Sequence, residues 1–121
     1  IEMEIKKTGK LFSFCCVAPL ILKNKSIKEI KRFEEIGADI GLLFQVADDL
    51  IDHKGNFRIV GKKTGKDKKK GKATLVSLMG YKNTIKYANN LIIKINNKVK
   101  KYGSKSQNLS KTLNYILTRN K

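Results

Sequence analysis

One apolar pattern, over residues 30–51, constrains the fold more than any other feature of the sequence. Its members recur at alternating steps of three and four positions, which places them along one face of a long α-helix. Such a face must pack against other helices, and no segment shows the alternation of apolar and polar residues typical of strands. The sequence therefore predicts an all-α chain. The pattern consists of Ile30, Phe33, Gly37, Ile40, Phe44, Ala47 and Ile51.

The helix that carries this pattern has a predicted start and end. Ser26 and Glu29 have the spacing of a capping box, in which each side chain accepts a hydrogen bond from a free backbone N–H of the first turn. Gly55 is a typical helix stop, so the helix is predicted to run from Ser26 to about His53.

Proline and glycine divide the rest of the chain. Pro19 is predicted to kink or loosen a first helix. Four glycines and a dense lysine run over 54–73 predict a long basic loop. Gly80 and Gly103 are predicted to interrupt and to close a later helical stretch. The predicted helical segments besides the long one are 8–23, 74–102 and 107–119.

The chain is strongly basic, with a formal net charge of +17 on 121 residues. This charge suggests nucleic acid or an anionic membrane surface as a partner. However, arginine occurs only at Arg32, Arg58 and Arg119, whereas base-edge and phosphate recognition favour arginine. Lysine, isoleucine and asparagine are raised together, as in A/T-rich coding sequence, so we interpret most of the lysines as a solvated surface.

The two cysteines and the apolar segment around them favour a soluble chain. Cys15 and Cys16 are adjacent and have no partner cysteine elsewhere, which is typical of small buried side chains in a reducing cytoplasm. The segment over 11–22 is shorter than the roughly 20 apolar residues that span a bilayer, and no small-residue cleavage site follows it. We therefore expect a cytoplasmic protein with a core helix here.

Acidic residues gather at the end of the long helix. Gly41, Gln45, Asp48 and Asp52 form a second stripe beside the apolar one, and Asp49 lies one position round the helix. Carboxylates in the last turn face the negative end of the helix dipole, and acids four residues apart repel one another. The cluster is therefore unfavourable unless cations neutralise it. The alternative is a solvated acidic cap paired with nearby lysines.

Oxygen donors without histidine or cysteine suit Mg²⁺ or Ca²⁺, and three carboxylates on a helix match the partial coordination that Mg²⁺ completes with water and substrate phosphate. Lysines of the basic loop are then available for phosphate oxygens. A nucleotide-binding glycine-rich loop is the nearest competitor, but over 65–73 its glycine spacing is wrong and Ala73 replaces the required serine or threonine. Acids for metal and lysines for phosphate together predict a diphosphate site.

Five short strings together resemble a known family. KTG (7–9), FQVADDLID (44–52), GKKTGKD (61–67), GKAT (71–74) and RNK (119–121) stand in the order and spacing of the trans-prenyl diphosphate synthases, the farnesyl and geranylgeranyl diphosphate synthases. The resemblance covers essentially the whole chain and corresponds to the C-terminal half of that family.

The resemblance implies an antiparallel helix bundle around a central cavity. There, Mg²⁺ ions draw the diphosphate off an allylic substrate, the carbocation alkylates isopentenyl diphosphate, and a proton is lost. It also implies a homodimeric full-length protein that has no nucleic-acid partner and no stable membrane insertion. By position, it assigns Asp48, Asp49 and Asp52 to the metal, Lys7, Lys62 and Lys72 to the departing diphosphate, and Lys7, Thr8 and Gln45 to catalysis.

The family's first aspartate-rich motif and its residues for isopentenyl diphosphate have no counterpart here. We therefore expect residues 1–121 to be the C-terminal portion of a polyprenyl synthase domain, inactive alone and poorly stable because its apolar faces lack their covering helices. Two alternatives stay open: a basic, non-enzymatic module binding nucleic acid or anionic lipid, and a related helical enzyme such as a terpene cyclase. The KTG and GKxxGxD strings favour the synthase.

Overall fold

The computed structural model describes residues 2–60 and 74–119, with side chains over 6–55 and 74–119. Five α-helices and one 3₁₀ segment follow one another, and within these ranges there is no β-strand, which confirms the predicted all-α class. The elements are α1 (Glu2–Leu22), α2 (Ile27–Val60), α3 (Leu75–Met79), α4 (Tyr81–Val99), the 3₁₀ segment (Lys100–Ser106) and α5 (Gln107–Thr118).

The predicted start of α2 is confirmed, and its predicted end is wrong. The backbone N–H of Glu29 donates to the Ser26 hydroxyl over 3.2 Å, as a capping residue requires. The helix then continues through His53 and Gly55 to Val60, so residues 54–60 do not belong to a loop. Glycine weakens a helix by about 1 kcal/mol but keeps its backbone N–H, and therefore does not end one by itself. The remainder of the predicted loop, 61–73, lies outside the described residues.

Glycine does break the chain where the sequence predicted. Gly80, between α3 and α4, has a φ of 84°, and Gly103, inside the 3₁₀ segment before α5, has a φ of 60°. Residues with a Cβ rarely adopt these angles, which explains glycine at both turns. The first helix is longer than predicted, beginning at Glu2, and it continues past Pro19 to Leu22.

The core lies between α2, α4 and α5. The buried face of α2 is displaced by about one residue position round the helix from the predicted face. Ile40 and Ala47 are buried as expected, whereas Phe33, Phe44 and Ile51 are only half-buried. The difference arises because α4 and α5 cover one side of α2 while α1 packs on another. The buried core side chains are Ile36, Ile40, Leu43, Val46, Ala47 and Leu50 of α2, Val76 of α3, Ala88, Leu91, Ile92, Ile95 and Val99 of α4, and Leu113 and Ile116 of α5.

Glycines let α1 approach α2 closely. A Cβ at Gly37 would stand 2.5 Å from the Ser13 Cα, and one at Gly41 would stand 2.9 Å from the Gly9 Cα. Gly41, expected from the sequence to line a cavity, is thus buried against α1. The Ser13 hydroxyl also donates to the Glu34 carbonyl oxygen over 2.9 Å. This contact fixes the register of α1 against α2, on which the candidate site depends.

The far side of α1 is apolar and exposed. Leu11, Phe14 and Leu22 keep 62%, 69% and 82% of their surface accessible. Cys15, predicted to be buried, is exposed, while Cys16 packs against the core and its pKa is raised by burial and by the neighbouring Cys15. No helix in the described ranges combines the length and apolar content needed to cross a bilayer.

Candidate functional site

The α1–α2 contact joins the two polar residues that the sequence analysis assigned to catalysis. The Gln45 side chain donates from Nε2 to the Thr8 Oγ1 over 3.0 Å, across 37 positions of sequence. Both side chains are half-buried, and the pair lies beside the close approach of Gly9 and Gly41. A bond to a partly buried partner fixes the orientation of the Gln45 amide and leaves its carbonyl oxygen as an acceptor for another group.

The lysines assigned to the departing diphosphate are described only in part. Lys7 lies on α1 next to Thr8 and is exposed to solvent. Lys62 and Lys72 lie outside the described residues.

Asp48 lies one turn beyond Gln45 and binds an arginine. Its Oδ1 accepts a charge-assisted hydrogen bond from Nη2 of Arg119, the residue that follows α5. The Arg119 side chain is 18% exposed and that of Asp48 is 32% exposed, so solvent screens this pair less than a surface pair. The guanidinium carbon also lies 4.3 Å from the centre of the Phe44 ring, within the range of a cation–π contact.

The sequence analysis missed this partner of Asp48. It recognised Arg119 only as part of the terminal RNK string and gave it no role. The two residues are 71 positions apart. The pairing depends on how α5 folds back onto α2, and no local pattern reports that. The scarcity of arginine in a lysine-rich chain was the one available signal, because a guanidinium suits a carboxylate and an aromatic face together better than an ammonium does.

Asp49 binds the N-terminus of α3. Its Oδ2 accepts from the backbone N–H of Leu75 over 3.2 Å, at the first residue of α3. The Thr74 hydroxyl accepts from the Ser77 N–H over 3.1 Å in the same turn. The two side chains together satisfy N–H groups that have no partner inside the helix. Asp49 thereby ties α3 to the acidic stretch of α2.

The three aspartates differ in direction. Asp52 is exposed one turn beyond Asp48, on the same face of α2, whereas Asp49 reaches towards α3. In the part of the chain that the structure describes, no three or more histidine, cysteine, aspartate or glutamate side chains are grouped closely enough to hold a metal ion by themselves. The donor chemistry nevertheless fits Mg²⁺, which takes carboxylate oxygens and completes its shell with water and phosphate. The metal assignment of Asp48, Asp49 and Asp52 therefore stays a prediction.

Aromatic and charged contacts hold the region around the aspartates in place. The rings of His53 and Tyr81 stack with centroids 5.3 Å apart, joining α2 to the first residue of α4. Nine positions before Asp48 on α2, Asp39 binds Lys94 over 3.2 Å and Lys98 over 3.0 Å, both from α4. Asp39 is thus an aspartate neutralised by lysines, which is the role that the acidic-cap alternative gives to Asp48. It therefore serves as a control within the same helix.

Comparison with known proteins was made for the whole chain. The family model described as polyprenyl synthetase matches residues 1–116. The chain is 33% identical over 120 residues to the farnesyl diphosphate synthase of Micrococcus luteus, which covers 99% of this chain and 41% of that protein. It is 31% identical over 118 residues to the geranylgeranyl diphosphate synthase of Cyanophora paradoxa, covering 98% of this chain and 39% of that protein. It thus spans about two fifths of the length of these relatives.

Proposed function

Because this chain belongs to the polyprenyl synthetase family, we propose that it forms the diphosphate-binding part of a prenyl diphosphate synthase. The proposed reaction is the Mg²⁺-dependent, head-to-tail condensation of an allylic diphosphate with isopentenyl diphosphate, which yields farnesyl or geranylgeranyl diphosphate. Turnover is expected only together with the remaining part of the length seen in the relatives, in a homodimer located in the cytoplasm.

One observation carries the proposal. The hydrogen bond between Gln45 and Thr8 joins the KTG and FQVADDLID strings, and it lies one helical turn from Asp48. A neutral polar pair and a carboxylate are thereby combined at one end of the α1–α2 pair. This combination suits a reaction in which positive charge develops on carbon beside a departing polyanion.

Each residue has a distinct part in this chemistry. Asp48 and Asp52, with Asp49 beside them, would hold Mg²⁺. The ion supplies positive charge to the oxygens of the leaving diphosphate. Lys7, Lys62 and Lys72 are proposed to neutralise diphosphate oxygens that the metal leaves uncovered.

The polar pair is proposed to act on the cation instead. Because the Gln45 Nε2 is already used by Thr8, the partly negative carbonyl oxygen of Gln45 is the end of the amide left to face a carbocation. The amide is oriented before the charge develops, so the pair contributes stabilisation without a reorganisation cost during the reaction.

The test compares two aspartates of α2 in the intact protein. Asp48→Asn removes the charge of the proposed ligand at nearly constant volume, and we expect kcat to fall by a factor of about 100 or more, as for other electrostatic groups of active sites. Asp39→Asn makes the same change at the ion pairs with Lys94 and Lys98. We expect that variant to keep its turnover within about twofold, because Asp39 and its two lysines contact none of the described residues assigned to the reaction. Wild-type turnover in Asp48→Asn would reject the proposal.

A further inference from the structure

Arg119 occupies the carboxylate to which the proposed function assigns a metal ion. Its Nη2 donates to the Asp48 Oδ1, and its guanidinium covers the Phe44 ring at 4.3 Å. The Phe44 ring in turn contacts Phe12 of α1, with ring centroids 5.5 Å apart. The arginine is therefore held by two independent contacts, one to each of two side chains of α2.

A divalent ion and this guanidinium are alternatives at Asp48. Both are cations that bind the Asp48 carboxylate, and at contact distance in a partly buried site they repel each other strongly. An ion bound to Asp48 and Asp52 would therefore displace Arg119 or weaken its bond. Conversely, each bond that Arg119 makes in the metal-free protein lowers the apparent affinity for the ion, because the bond must be given up on binding.

The backbone around Arg119 permits such an exchange. Arg119 is the residue directly after α5, and its own N–H still donates to the Tyr115 carbonyl oxygen over 2.9 Å. Its ψ of 145° already takes the chain out of the helix. Rotation of the side chain therefore suffices to release Asp48, without unfolding α5. Meanwhile the neighbouring carboxylate, Asp49, is bonded to α3 and is not in competition with the arginine.

We propose that Arg119 is a latch on the aspartates of α2: it holds Asp48 in the metal-free protein and leaves it when a divalent cation binds. This inference rests on the proposed function. In the latched state the guanidinium neutralises Asp48 beside Asp52, which removes the repulsion between two acids four positions apart. In the unlatched state the ion takes over that role. Metal binding at Asp48 and Asp52 of α2 is thereby coupled to the residue that terminates α5.

The first measurement is calorimetric titration of the intact protein with Mg²⁺. Arg119→Gln removes the competing charge, and we expect Mg²⁺ to bind about tenfold more tightly, the equivalent of one charge-assisted hydrogen bond of about 1.4 kcal/mol. Arg119→Lys keeps the charge but loses the planar contact with Phe44, so its affinity should lie between those of the wild type and Arg119→Gln.

Arg32→Gln is the matched control. It removes the same charge from α2, sixteen positions before Asp48 and thus about 24 Å along the helix. Beyond about two Debye lengths at physiological salt its effect on Mg²⁺ affinity should be negligible. Equal tightening in Arg32→Gln and Arg119→Gln would show a general charge effect and overturn the latch.

A second readout follows the arginine itself. In the metal-free protein the Arg119 Nε–H resonance should show the ring-current shift of a group lying over Phe44, and Arg119→Lys identifies the signal by its loss. Saturation with Mg²⁺ should abolish the shift. Persistence of the shift at saturation, or unchanged or weaker Mg²⁺ binding in Arg119→Gln, would overturn the latch and leave the proposed function standing. Absence of Mg²⁺ binding in every variant, with or without an allylic diphosphate, would overturn both.

Discussion

Replacing Gly37 by alanine tests the close contact between α1 and α2. The new Cβ would lie 2.5 Å from the Ser13 Cα and 2.7 Å from the Phe12 carbonyl oxygen, both backbone atoms that no rotamer change can move. Ordinary contact needs about 1 Å more, so α1 must retreat by about that distance. Overpacking of this kind costs about 1–3 kcal/mol, and alanine returns up to about 1 kcal/mol of helix propensity. We expect a net loss of about 1–2 kcal/mol.

Gly55→Ala is the matched control. It makes the same substitution in the same helix, but among the described residues no neighbouring segment comes within 4 Å of the added Cβ. Only the propensity gain remains, and we expect the free energy of unfolding to rise by about 0.5–1 kcal/mol. Urea unfolding of the intact protein, followed by far-UV circular dichroism, measures both changes. Equal changes in the two variants would refute the close packing of α1 on α2.

Gly37→Ala should also impair catalysis. Retreat of α1 lengthens the bond between Gln45 and Thr8, now 3.0 Å. A misplacement of about 1 Å in an active site can lower the rate about 100-fold. Gly55→Ala should leave the rate unchanged, so a stability effect without a rate effect in Gly37→Ala would argue against a catalytic role for the polar pair.

Three further predictions address single contacts. In a double-mutant cycle with Thr8→Val and Gln45→Leu, urea unfolding should give a coupling energy of about 0.5–1.5 kcal/mol, and zero coupling would contradict their hydrogen bond. Asp49→Ala removes the acceptor of the Leu75 N–H and should cost about 1 kcal/mol of unfolding free energy, with faster amide exchange in α3; unchanged exchange would contradict the cap. Chelation by EDTA should abolish turnover, and added Mg²⁺ restore it, without loss of helical circular dichroism, because the buried core is aliphatic; unfolding on chelation would make the metal structural.

The elements of the chain were predictable where local chemistry decides them. Gly80 and Gly103 break the helices because their positive φ angles suit glycine, and Ser26 starts α2 because its hydroxyl caps the first turn. Gly55 was misread because the preference of glycine for helix ends is only a tendency. Glycine keeps its backbone N–H and costs a helix about 1 kcal/mol, so α2 continues through it to Val60.

The sequence predicted that α2 has a buried apolar face, but it predicted less well which side of the helix that face occupies. Spacing alone identifies a helical face, but two neighbours that pack on different sides of α2 make more than one face apolar. Gly37 and Gly41 looked like part of a stripe or a cavity wall, and their real role depends on α1 approaching within backbone contact. Such a fact belongs to a pair of helices and cannot be derived from the periodicity of one.

The candidate site also combines residues that the sequence predicted with partners that it did not. Thr8 and Gln45 were assigned together from two strings, and their hydrogen bond is consistent with that assignment. The partners of Asp48 and Asp49, Arg119 and the Leu75 N–H, come from distant segments and were not foreseen. The metal and lysine assignments stay predictions.

The central claim is that the aspartates at positions 48–52 of α2 hold divalent ions that bridge to a diphosphate. A crystal structure of the intact protein with Mn²⁺ in place of Mg²⁺ and an unreactive allylic diphosphate analogue tests this claim most directly. We predict anomalous peaks for Mn²⁺ in contact with the carboxylates of Asp48 and Asp52 and with diphosphate oxygens. Manganese bound elsewhere, with both carboxylates still held only by protein groups, would contradict the account.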